Sequence, residues 1–145
     1  PLAGKIFHDT AVSRFCRVLG TLLRNGVPIL KALQISSGSV GNQLLAQAII
    51  DSAENISSGQ TLSAPLAQCG LIPKSTMAMI RIAEESNSLD SVLVGIADSI
   101  DKRIEKQLTL MVRFIEPIML VTIGVAILFV MVALLLPIIE ASTTI

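Results

Sequence analysis

The stretch PIMLVTIGVAILFVMVALLLPII, residues 117–139, carries no charged side chain, and the way it is read governs everything on either side of it. At the helical rise its 23 residues reach about 34 Å, slightly more than the roughly 30 Å of bilayer hydrocarbon. The β-branched residues of the chain cluster in this run, where the open edge of a sheet would leave backbone groups without partners in lipid. A transmembrane helix over 114–139 is therefore expected. The run is too long for a signal-peptide core and has no small-residue cleavage site with a mature domain behind it, so it reads as a resident anchor. All Lys and Arg residues precede Phe114, and Lys102, Arg103, Lys106 and Arg113 crowd the approach to the run. By the positive-inside rule the residues before it are cytoplasmic, and a short tail, 140–145, lies on the far side.

Upstream, Leu89, Val92, Leu93, Ile96, Ile100, Ile104, Leu108 and Met111 recur every three or four residues, which predicts one long helix leading towards the span. Asp98 and Lys102 fall one turn apart on it and can pair on a solvated face. Before Ser86-Asn87-Ser88 a helix over 74–85 is expected, with either Met77, Ile80 and Ala83 or Met79 and Ile82 facing inward. Earlier still, Thr61 is the expected cap of a short helix carrying Leu62, Leu66 and Cys69. A helix from about Asn42 to Ser57 buries Leu45, Ala48, Ile49, Ser52, Ala53 and Ile56 and stops at Gly59. The first helix is expected to start at Thr10, with Asp9 or Thr10 as cap and Val12, Phe15, Cys16 and Leu19 inward. It ends at Asn25-Gly26, and Pro28 fits the first turn of the next helix. The prediction is all-α: an antiparallel bundle of about six helices over 10–113, preceded by an entry segment over 1–9 and followed by the span and tail.

Composition narrows the function. Eleven Lys and Arg balance eleven Asp and Glu, which argues against a nucleic-acid partner. Charged residues are 15% of the chain, and one His, no Trp and no Tyr leave few groups for acid–base chemistry or stacking. His8 has no cluster of Cys or carboxylates at ligand spacing, so no metal, cofactor or catalytic residue is expected, and the two cysteines read as small buried hydrophobes.

In order and spacing, the segments Pro1-Leu2-Ala3-Gly4, Leu22 to Leu33 with its Asn25-Gly26-Val27-Pro28 turn, Gly59-Gln60-Thr61-Leu62, Pro73, Ala83 to Leu89 and Glu116-Pro117 resemble the F-type inner-membrane platform proteins of type II secretion and type IV pilus machines. Ala83 and Asn87 stand where that pattern usually has Gly; Asn tolerates the left-handed backbone, whereas Ala implies a need for small size. Members usually carry two copies of the helical domain and about three spans, so one copy with one span resembles the C-terminal half. The resemblance implies an architectural protein of the bacterial inner membrane rather than an enzyme. Its implied partners are a cytoplasmic assembly ATPase, other platform subunits, pilin or pseudopilin, membrane lipid and further copies of itself.

The candidate interface residues follow from that picture. Glu84, Glu85 and Asn87 are candidates for contact with the motor or a neighbouring protomer, the alternative for the two acids being an ordinary solvated acidic turn. Arg113 and Glu116, three residues apart, are either a snorkelling pair at the membrane edge or a functional pair. Pro117 either opens a separate membrane helix or kinks a continuous one. Lys102, Arg103 and Lys106 are candidates for lipid head groups. A tail-anchored helical regulator that binds a partner helix in a groove shares the same outline, although such proteins usually carry a Trp at the groove and this chain has none. A small membrane enzyme would need more polar residues in the span than Thr122 and Glu116.

Overall fold

The computed structural model describes residues 2–144; Pro1, in the entry segment, and Ile145, in the tail, lie outside them. The described residues form six α-helices and no strand: α1 (Leu2–Arg24), α2 (Ile29–Ser37), α3 (Gln43–Ser57), α4 (Ser63–Gln68), α5 (Lys74–Glu85) and α6 (Leu89–Thr143). The chain divides into two compact units, Pro1–Glu105 and Lys106–Ile145.

In the first unit the apolar stripes expected from the sequence meet in one core. Phe15, Leu19, Leu33, Leu45, Ile49, Leu62, Leu66, Ile80 and Leu93 are fully buried. The ambiguity in α5 resolves in favour of Met77, Ile80 and Ala83, which are buried together with Thr76, while Met79 and Ile82 are exposed. Asn42 caps α3 as its position suggests, its side chain accepting from the Leu45 amide at 3.1 Å.

Three turns share one solution to the problem of orphan carbonyls at a helix C-terminus. After α1, the amides of Gly26 and Val27 donate back to Leu23 and Leu22 at 3.1 and 3.0 Å. After α3, Gly59 and Gln60 donate to Ile56 and Asn55 at 3.0 and 2.8 Å. After α5, Asn87 and Ser88 donate to Glu84 and Ala83 at 3.4 and 2.9 Å. Each is the paired bonding of a Schellman cap, which requires a left-handed residue one beyond the cap. That residue has φ 81° at Gly26, 79° at Gly59 and 55° at Asn87. Asn87 thus does the work of glycine, and Ala83 is a fully helical residue packed to 1% exposure, in accord with a demand for small size.

Four local expectations are corrected. Helix α1 begins at Leu2, not Thr10: the Thr10 hydroxyl donates to the Ile6 carbonyl at 2.7 Å, a mid-helix bond, and Asp9 is buried. The first turns escaped notice because Gly4, Lys5, Phe7 and His8 are all exposed, so no apolar stripe marks them. Pro28 precedes α2 as its boundary residue, with ψ 141°, an extended value that the first turn of a helix does not have. Thr61 does not cap α4; the boundary residue is Leu62, and the capping carboxylate comes from α5. Asp98 pairs not with Lys102 but with Arg17 of α1 at 2.9 Å, because packing α1 antiparallel to the start of α6 brings a second, better placed base to it.

That α1–α6 seam is tight. A Cβ on Gly20 would lie 2.9 Å from Val94 Cγ2, 3.0 Å from Leu93 Cβ and 3.1 Å from the Val94 backbone nitrogen, closer than side-chain carbons pack. Further along, the Ser13 hydroxyl donates to the Asp101 carboxylate, with the Ala97 carbonyl at 3.4 Å, and Arg17 also reaches Asp101 at 2.6 Å.

The second unit is helical to Thr143, and α6 passes through both Pro117 and Pro137. Pro117 therefore lies inside a continuous helix and does not open a new one, and Pro137 does not end it. Each proline removes a donor, leaving the carbonyls of Arg113 and Ala133 without their usual partners. The Thr122 hydroxyl is satisfied within the helix, donating to the Ile118 carbonyl at 2.7 Å. By length and composition α6 is able to cross a membrane, and none of its most apolar window is buried.

Candidate functional site

At the corner between α5 and α6 the two adjacent glutamates have separate fates, because neighbouring positions on a helix diverge by about 100°. Glu84 turns towards α4: one carboxylate oxygen accepts from the Leu62 amide at 2.5 Å and the other lies 3.4 Å from the Ser63 amide. An anion there satisfies amides that the local sequence leaves open and sits well against the positive end of the helix. Glu85 is exposed and turned to solvent. Asn87, also exposed, joins Leu89 and Asp90 with Leu23 and Ile29 around a shallow depression of about 360 Å³, so the α5–α6 corner and the α1–α2 hairpin share one end of the bundle. A second depression, about 280 Å³, runs between α2 and α3 over Leu30, Ile50 and Ala53, with Gln34, Glu54 and Ser57 around it.

The charged groups of the α1–α6 seam are perturbed by one another. Burial alone would raise the Asp101 carboxyl, but the hydrogen bonds from Ser13 and Arg17 and the Arg17 charge outweigh it and hold the group below its ordinary value. Hydrogen bonds to Asp101 and then Asp98 hold Arg17 above its own. Burial pushes the Cys16 thiol up to about 12, which keeps it protonated and inert at physiological pH. Cys69 is half-buried, its thiol donating to the Leu66 carbonyl at 3.0 Å.

Lys102, Arg103 and Lys106 are exposed, as are Arg113, Glu116 and Pro117. Among the described residues Arg113 and Glu116 make no ion pair with each other, whereas Arg17 pairs with both Asp98 and Asp101, at 2.9 and 2.6 Å. The structure thus brings Asn87 to the α1–α2 hairpin, takes Glu84 into the fold and leaves Glu85 on the surface. Sequence reasoning missed Ser13, Arg17 and Gly20. Arg17 lies on what looks like the solvated face of α1, and no local pattern names its partners 81 and 84 residues away.

The model of the family described as "Type II secretion system (T2SS), protein F" matches residues 15–137, covering the bundle and the apolar helix together. The chain belongs to this family. It is 34% identical to a type IV pilus assembly protein PilC of Myxococcus xanthus over 86% of its own length and 30% of the relative's. It is 32% identical to a type II secretion system protein F of Pseudomonas aeruginosa, over 98% of this chain and 35% of that protein. With a PilC of Thermus thermophilus the identity is 31%, over 99% of this chain and 36% of the relative. The chain therefore spans about a third of the length of these curated relatives. Pilus and secretion proteins match it comparably well, so the family is defined at the level of shared architecture and not of one machine.

Proposed function

We propose that this chain is part of an inner-membrane platform in a type II secretion or type IV pilus assembly machine, coupling a cytoplasmic assembly ATPase to extraction and polymerisation of pilin or pseudopilin. The observation that carries the reading is the family match over 15–137, which takes in the bundle and the membrane helix as one piece. The basic residues before Phe114 support a cytoplasmic bundle and a periplasmic tail. The work is architectural: the bundle docks on the motor, other platform subunits and further copies of itself, and the membrane helix offers a lateral surface to pilin segments. Lys102, Arg103 and Lys106 meet anionic head groups.

Of the acidic pair, Glu85 is the docking residue, because Glu84 is occupied by α4. Glu85→Lys is expected to abolish co-purification of the ATPase with detergent-solubilised chain while leaving its helicity and melting intact. Unchanged co-purification would remove Glu85 from the interface. Transmission runs along α6 past Arg113, Glu116 and Pro117. A flexible insertion after Arg113 is expected to stop assembly while leaving motor binding unchanged; assembly at normal levels would exclude rigid transmission.

A further inference from the structure

The turn that joins α1 to α2 holds the sequence Asn25-Gly26, and of the four asparagines in the chain Asn25 alone precedes a glycine. A backbone nitrogen that follows asparagine can attack the side-chain carboxamide carbon, and glycine hinders this least, because it has no Cβ to restrict its φ or crowd the ring that forms. Nothing in the fold blocks the reaction sterically: both residues are exposed, and a Cβ on Gly26 would meet no atom within 4 Å.

What the fold restrains is the two reacting groups. The Gly26 N–H, whose proton must leave before the nitrogen can attack, donates to the Leu23 carbonyl at 3.1 Å. The Asn25 carboxamide nitrogen, the group that must depart, donates to the Thr21 carbonyl at 3.0 Å. Both restraints sit in the paired turn that ends α1, which the Val27 amide closes on Leu22 at 3.0 Å. Leu22, Leu23 and Val27 are half-buried against the core, so the turn is held at the rim of the bundle and not from its fully buried centre. A helix end held in this way opens at lower free energy than the whole unit.

We propose that Asn25 is a site of spontaneous deamidation whose rate is set by opening of the α1–α2 turn. On opening, the Gly26 nitrogen gives up its proton and bonds to Asn25 Cγ, the Cγ–Nδ2 bond breaks, and ammonia leaves carrying a proton returned by water. Water then adds to either carbonyl of the succinimide ring and opens its bond to nitrogen, leaving aspartate or isoaspartate at position 25; nothing is oxidised or reduced. Either product acts on the turn. A carboxylate adds negative charge at the carbonyl end of α1. Isoaspartate runs the main chain through the side-chain carbons, and the extra methylene displaces the Gly26 and Val27 amides from their acceptors. Leu23 and Ile29, on either side of the turn, line the depression shared with Asn87 and Asp90, so the modification loosens that corner of the bundle. The proposal does not depend on the platform reading.

The test incubates the full chain in detergent beside a peptide of residues 21–31 at mildly alkaline pH. The tryptic fragment from Asn25 to Lys31 is read by mass spectrometry for an acid in place of an amide, with digestion in heavy-oxygen water so that later conversion is told apart. Conversion is expected at Asn25 ahead of Asn42, Asn55 and Asn87, and several-fold slower in the chain than in the peptide. Val27→Ser, which strips the apolar contact of the turn, is expected to raise the rate several-fold in the chain and to leave it unchanged in the peptide. Guanidinium below the melting range of the wild-type chain is expected to have the same effect, and decides the matter if Val27→Ser does not fold. Equal rates in chain and peptide, or a chain rate that follows neither Val27→Ser nor guanidinium, would overturn control by the turn. Conversion at Asn25 no faster than at the other three asparagines would overturn the site itself.

Discussion

Residues 89–104 and 114–139 belong to the same helix and are both rich in Leu, Ile and Val, yet they dispose of their apolar side chains differently. In the first stretch Leu93, Ile96, Ala97 and Ile100 are buried against the bundle, while Asp98, Asp101, Lys102 and Arg103 point outward. In the second every residue is exposed, and apart from Glu116 and Thr122 the side chains are apolar all round. A one-sided stripe finds its solvent in protein; an all-round apolar surface needs lipid. Helical periodicity identifies both, and the angular width of the apolar face tells them apart.

The sharpest way to break this contrast is a matched pair of truncations. Leu93→Ala should destabilise the bundle by about 2–5 kcal/mol, since it empties a fully buried site, whereas Leu128→Ala, 65% exposed, should leave bundle melting in detergent unchanged. Equal losses would mean that residues 106–143 contribute to the core. The converse is Leu128→Arg, expected to cost about 3 kcal/mol of membrane insertion with no effect on the bundle; glycosylation-site mapping reads the first and circular dichroism the second.

Gly20→Ala tests the seam that ties α1 to α6. With Val94 and Leu93 at the distances found, the added methyl must move backbone, and a loss of about 1–3 kcal/mol in urea unfolding is expected. Gly124→Ala, with nothing within 4 Å, should be silent in the same assay.

At the turns, Asn87→Ala should cost about 1 kcal/mol, because alanine resists the left-handed conformation that asparagine accepts, and Asn87→Gly should retain or exceed wild-type stability. A neutral Asn87→Ala would show that the turn can relax to another geometry.

The smallest effect is electrostatic. The folded Asp101 carboxyl is held below its ordinary value of 3.8, so its contribution is complete above that pH and is lost as pH falls below it through the lowered folded value. Both groups of the pair are about half exposed, so Arg17→Met should cost no more than about 1 kcal/mol at neutral pH. The melting difference between wild type and Arg17→Met should shrink on acidification to about pH 2–3; a constant difference would assign the loss to packing of the Arg17 stem.

Much of the fold is legible along the chain because helices are local. Gly26 and Gly59 mark left-handed turns, Asn42 marks a cap, and the stripes on α3 and the start of α6 name core residues directly. What resisted reading was of two kinds. The overhang of α1 has no stripe, since nothing covers it, and so residues 2–9 gave no helical signal. The face of α5 was undecided because twelve residues carry two apolar lines, and only the neighbours of Ile80 choose between them. The acidic pair shows the same limit at the candidate site: adjacency made Glu84 and Glu85 look alike, and the amides of Leu62 and Ser63 separated them.

Helix count, turn positions and a helix apolar enough to cross a membrane all follow from short-range rules: backbone bonds four residues apart, side-chain periodicity, and the cost of charge in lipid. Packing supplied the rest. That Arg17 meets Asp98 and Asp101, that Gly20 must be small, and that Glu84 caps a helix twenty-odd residues upstream are consequences of which faces touch. Those pairings join positions about 20 to 90 residues apart, and a local pattern holds no information about a partner until the chain has closed that loop.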